Sequence, residues 1–135
     1  MQIAALYLIT TAVFLSIDAV GIRFMIKPIF DRHIAELYPD VMRVGPAALF
    51  YLGYIAGLLY LVSVPALRAG SPASAILPAI IFGLVAYGTY EFTNYATIRL
   101  WSVQQVVVDT LWGGALTGFS AWAGLAALRA FSPAA

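Results

Sequence analysis

The chain has 135 residues, of which 63% are hydrophobic and 10% charged, with a formal net charge of +1. A soluble domain carries about 25% charged residues, so this composition belongs to a membrane protein, and the small net charge offers no footprint for nucleic acid. With no cysteine and one histidine, His33, the sequence excludes disulfides, thiolate metal sites and cysteine nucleophiles. It also lacks the parts for a His-rich metal centre or an intramembrane serine–histidine–acid triad.

Four apolar stretches can be read, at about 3–25, 45–67, 75–98 and 104–128, each reaching the ~20 residues that cross a ~30 Å hydrocarbon core. They predict a single all-α unit, an integral membrane four-helix bundle with short loops and no room for a soluble catalytic module. The N-terminus lacks the basic flank of a signal peptide, so residues 3–25 are expected to stay as a first span. Pro28 is expected to stop that helix. In the loop from Pro28 to Val44, Ile26, Ile29, Phe30, Ile34 and Leu37 recur at helical spacing, which predicts a short interfacial helix. Span two opens near Gly45-Pro46 and closes about Pro65. The turns at 68–72 and 99–102 are short, so spans two and three, and three and four, should be antiparallel neighbours.

Basic residues give the orientation. Arg23, Lys27, Arg32, Arg43 and Arg99 flank one face and only Arg68 and Arg129 the other. The positive-inside rule therefore places loops one and three in the cytoplasm and both termini outside.

Three carboxylates interrupt the spans: Asp18, Glu91 and Asp109. An acid at the bilayer centre costs roughly 2.5–3.5 kcal/mol on insertion scales, so it usually marks a site. At a helix rise of ~1.5 Å per residue, all three fall about 8–10 Å below the predicted cytoplasmic face. Tyr87, Tyr90, Glu91 and Asn94 form one polar stripe on span three. Gln105, Asp109, Trp112, Gly113 and Ser120 share a face of span four, and Thr11, Phe14, Asp18 and Gly21 line up on span one. Tyr51 and Tyr54 supply hydroxyls from span two, and Arg99 stands at the rim. One reading is a cytoplasm-facing pocket for a cation, a proton or a lipid-type amphiphile, with the acids as its ionisable core. Tyr54, Tyr90, Asn94, Gln105 and Trp112 would orient them, and Arg99 would meet an anionic group. The bland reading is polar glue, hydrogen bonds worth about 0.6 kcal/mol each that only fix helix packing.

Two small-residue motifs, Gly53-x-x-x-Gly57 and Gly114-x-x-x-Gly118, fit close helix packing inside the chain better than dimerisation. Tyr38, Trp101, Trp122 and Phe131 read as interfacial anchors, and His33 as a solvated loop residue. No nucleophile, metal set or cofactor motif supports an enzyme, and no cofactor is expected. A lipid-modifying enzyme using two carboxylates as acid and base stays as one alternative. The other is an accessory subunit of a larger membrane complex. Expected partners are membrane lipids, together with such a complex or further copies of the chain.

The segments Leu15-Ser16-Ile17-Asp18-Ala19, Phe50-Tyr51-x-x-Tyr54-x-x-Gly57, Tyr87-Gly88-Thr89-Tyr90-Glu91-Phe92-Thr93-Asn94-x-Ala96-Thr97 and Val108-Asp109-x-x-Trp112-Gly113 resemble a bacterial family of small inner-membrane proteins, domain of unknown function number 2177. The likeness runs over nearly the whole chain. It departs at Glu91, where aspartate is usual, and at Val20, where a bulky aromatic is common. The resemblance implies four transmembrane helices in a bacterial inner membrane and carries no established activity.

Overall fold

Lipid offers no hydrogen bonds, so a chain this apolar can satisfy its backbone only within helices or a closed barrel. The computed structural model describes residues 1–131, and among these there is no strand. Four helical rods are long and apolar enough to cross a membrane: Gln2–Leu37, Val44–Ala69, Pro72–Thr97 and Val103–Phe131. The first comprises α1 (Gln2–Gly21), a π turn (Ile22–Ile26), α2 (Lys27–Ile34) and a short 3-10 turn. The second comprises α3 (Val44–Leu58), a π turn (Leu59–Ser63) and α4 (Val64–Ala69). The third is α5 (Ile76–Thr97) behind a 3-10 turn, and the fourth is α6 (Val103–Phe131).

Pro28 does not end the first helix, contrary to the expectation from sequence. Proline has no N–H and its ring clashes with the carbonyl four residues back. The backbone responds by widening: the N–H of Lys27, just before the proline, bonds to Ile22 O. The same device recurs before Pro65, where the N–H of Val64 bonds to Leu59 O and the helix runs on to Ala69. The predicted loop helix therefore exists as α2, a continuation of span one. It lies against the start of α6, where Phe30 and Ile34 cover Trp101, and Arg32 and His33 bond Gln104 Oε1 at 3.3 and 3.1 Å. His33 is thus held by a partner rather than free in solvent.

α6 is the centre of the bundle. Of its most apolar 18 residues, 56% are buried, against 17–33% in the other spans. Most of the buried positions are small or polar, among them Gln105, Asp109, Gly113, Gly114, Thr117, Gly118, Ser120 and Gly124, while Val106, Leu116, Leu125 and Leu128 are the large apolar ones. Large apolar side chains such as Leu8, Leu61, Leu77 and Val85 point outward, as lipid-facing residues do.

The α5–α6 seam is a glycine contact. A Cβ on Gly83 would sit 2.7 Å from Thr117 Oγ1 and 2.8 Å from the Gly113 carbonyl carbon, and a Cβ on Gly113 would occupy the place of the Tyr87 ring. Of the two motifs, Gly114-x-x-x-Gly118 lies in this seam against Leu84 and Ile80. In Gly53-x-x-x-Gly57, Gly53 has nothing within 4 Å. The packing expected inside the chain thus holds for Gly114-x-x-x-Gly118 and not for Gly53.

Gly83→Ala should therefore push the two helices apart and cost about 1–3 kcal/mol, the usual range for overpacking. Gly53→Ala should change stability by no more than about 0.5 kcal/mol, as at open surface positions. Melting of the two variants in detergent micelles reads the contrast.

Candidate site: a string of buried carboxyls

The seam sets the register of the site. Gly83, Tyr87 and Glu91 recur every four residues on α5, and Gln105, Asp109, Gly113 and Thr117 do so on α6. With Gly83 against Gly113 and Thr117, and Tyr87 against Gly113, the antiparallel register brings Glu91 to Asp109. Their carboxyls are close enough to influence each other. Glu91 is fully buried and Asp109 is 7% exposed.

Two indoles serve the outer members. Trp101 Nε1 donates to Glu91 Oε1 at 2.8 Å, and Trp112 Nε1 donates to Asp18 Oδ1 at 3.0 Å. Gly21, one turn beyond Asp18, makes room for the second contact, since a Cβ there would overlap the Trp112 ring. Tyr51 on α3 stands near the Asp18 carboxyl. Asp18 in turn lies close enough to Asp109 for their charges to interact. The three acids thus run Asp18, Asp109, Glu91 across the bundle. Among the described residues no group of three acidic or histidine side chains is arranged to hold a metal ion.

Two features make the string unlike ordinary packing polarity. First, no cation balances it: among the described residues the single ion pair is the exposed Lys27–Asp31, at 2.7 Å. Second, Glu91 Oε2 is buried without a donor. The neighbour it has to deal with is another carboxyl.

The remaining residues singled out in the sequence take different places. Gln105 is buried, but its Oε1 accepts from Ser102 N at 2.9 Å and from Ser102 Oγ at 3.0 Å, while Ser102 Oγ accepts from Gln105 N at 3.1 Å. This is a capping box at the start of α6, and Gln105 Nε2 has no partner. Tyr54 pairs with Thr117 at 2.9 Å, below the acids rather than on them. Tyr90 is half exposed and sets its ring edge-on to Trp101, with centroids 5.5 Å apart. Asn94 is half-buried beside Tyr90. Arg99 is exposed and lines a shallow rim pocket of about 530 Å³ with Thr97 and Trp101, paired with no acid.

Trp101 is the residue that sequence reasoning misplaced. It reads as an interfacial anchor, yet it is 6% exposed and holds Glu91. A buried indole N–H needs an acceptor, and an acid ten residues upstream across a tight turn was the available signal.

The family model DUF2177, described as a predicted membrane protein, matches residues 3–126. The chain belongs to that family. No curated protein and no solved structure matches the chain. The DUF2177 match spans all three carboxyls, both indole donors and the α5–α6 seam.

Removing one donor should expose the cost of the burial. Trp101→Phe keeps an aromatic six-membered ring but removes the indole N–H and leaves Glu91 Oε1 unbonded, a loss of about 1–3 kcal/mol for an unsatisfied buried group. In the Glu91→Met background the same change should cost much less. A double-mutant cycle on melting in detergent measures the coupling, and additive effects would show that the bond carries no stability.

Proposed function

We propose that the string Asp18–Asp109–Glu91 binds and passes protons within a bacterial inner-membrane protein whose acid end faces the cytoplasm. The observation that carries this reading is that Glu91 and Asp109, brought together by the α5–α6 register, are both buried with no cation paired to them. Two carboxylates are both acceptors; a hydrogen bond between them forms only when one brings a proton. The acids are closed off, so a proton suits the space better than a hydrated metal ion or an amphiphile. Intramembrane carboxyls in series are the usual material of proton relays. Trp101 and Trp112 orient the outer acids, and the rim beside Arg99 and Trp101 is the side on which Glu91 lies nearest to water.

Proteoliposomes loaded with a pH-sensitive dye test the relay. With a potassium diffusion potential, the wild type should collapse an imposed pH gradient faster than empty vesicles. Asp109→Asn and Glu91→Gln should fold normally, being nearly isosteric, and should abolish the flux. Amide variants that conduct like wild type would end the proton reading.

Orientation has its own test, made clean by the absence of native cysteine. Ser71→Cys should react with a membrane-impermeant maleimide added to intact cells once the outer membrane is permeabilised. Asp40→Cys should react only after the inner membrane is lysed.

One observation favours a second reading, an accessory subunit. Residues 44–50, the first turns of α3, are exposed on every side, and Gly45 and Gly53 have open space where a neighbour's backbone could approach. In that case substitutions along this face, and not at the acids, would destroy function.

A further inference from the structure

At the end of the bundle opposite the acids, α1 and the second half of span two enclose a groove of about 670 Å³. Its walls are Ala4 and Tyr7 on one side and Ala56, Leu59 and Val64 on the other, with Arg68 at its mouth. Three features make it. Alanines stand at facing positions where larger side chains would close the gap. The π turn Leu59–Ser63, forced by Pro65, widens span two along this wall. At the inner end the Tyr7 hydroxyl donates to Leu52 O at 2.8 Å and ties the two helices together.

The dimensions and charge fit one kind of occupant. From Arg68 to Ala56 is twelve residues of helix, about 18 Å at ~1.5 Å per residue. One leaflet of a ~30 Å core is about 15 Å deep. A groove that starts at a guanidinium and ends one leaflet down has the shape of a phospholipid tail hung from its phosphate. Arg68 has no acidic partner among the described residues. A second guanidinium, Arg129, is brought to the same turn because its Nη1 donates to Gly70 O at 3.1 Å, a contact that leaves its other donors available. Two arginines beside one loop suit a phosphate, which accepts from guanidinium forks in parallel pairs. Basic pockets between membrane helices hold anionic lipid headgroups on the same principle.

We propose that this groove is a binding site for one anionic phospholipid of the leaflet opposite the acids, its acyl chain between α1 and span two and its phosphate on Arg68 and Arg129. The site goes beyond the proton relay and shares no residue with it.

Native mass spectrometry of the purified protein, equilibrated in mixed micelles of equal phosphatidylglycerol and phosphatidylcholine, tests the proposal. The wild type should retain one lipid through delipidation, with phosphatidylglycerol preferred by about tenfold, because phosphatidylcholine offers the same phosphate but adds a choline cation that two guanidiniums repel. Arg68→Gln should weaken the preference, and Arg68→Gln combined with Arg129→Gln should bring the two lipids to parity. Ala56→Trp and Ala4→Phe, which fill the groove from opposite walls, should lose the retained lipid while keeping the wild-type melting temperature. Asp109→Asn should bind lipid normally, so failure here and failure of the relay are told apart. The proposal is overturned if the wild type keeps no lipid or shows no preference. A preference that survives removal of both guanidiniums, or lipid held equally by both filled variants, would overturn it as well. If both filled variants unfold, the walls are in contact and the groove is not a site.

Discussion

The structure depends on how closely α5 and α6 approach each other. Between helices in lipid there is little hydrophobic driving force, because the surroundings are as apolar as the side chains. Contact must come from backbone proximity and from polar groups that find partners. Gly83 and Gly113 supply the proximity. Everything polar at the acid end follows from the register they impose: Tyr87 over Gly113, Glu91 beside Asp109, and Trp101 turned back by the short loop to donate to Glu91.

The bundle accordingly gathers its buried polar and small residues along α6, beside an apolar core of Leu6, Phe14, Ile55, Leu58, Leu116 and Leu125, and turns many large apolar side chains outward. α6 carries the interior face, and α1 approaches it in the same manner: Trp112 lies over Gly21, and a Cβ on Gly124 would collide with Thr10. The arrangement leaves several interior groups, including Thr10 Oγ1, Ser63 Oγ, Ser120 Oγ and Gln105 Nε2, without side-chain partners. A hydroxyl on a helix is a mild case, but an acid is not. Glu91 and Asp109 are buried among neighbours that lower the cost of burial only partly. A carboxyl pair with no cation is stable in such a place when it holds a proton, and this links the packing of the bundle to its proposed work.

The two prolines show the same physics applied to the backbone. In water a helix can stop at proline because water takes up the freed groups. In hydrocarbon the freed carbonyls would stay unpaired at a cost of several kcal/mol each. The rod through Pro65 therefore continues through a π turn, and the rod through Pro28, at the polar edge of span one, does the same with α2 packed on Trp101. Each turn has a structural consequence. The one before Pro28 leads α2 onto the start of α6, where it shields Trp101. The one before Pro65 shapes the groove wall that ends at Arg68.

Much of this was legible in the sequence by itself. Span number, the all-helical class and the carboxylates as the unusual residues follow from composition and length, because crossing a membrane leaves few other solutions. The helical faces carrying Asp18, Glu91 and Asp109 follow from a period of 3.6. What a helical face could not tell is which residue on the neighbouring helix it meets. Tertiary structure decided that Gln105 caps α6, that Tyr54 pairs with Thr117, that Arg99 stays apart from the acids and that Trp101 is the donor for Glu91. Periodicity sets direction around one axis, whereas partner choice depends on the distance and register between two axes. Here those were set by glycines whose role shows only when the facing helix is in place.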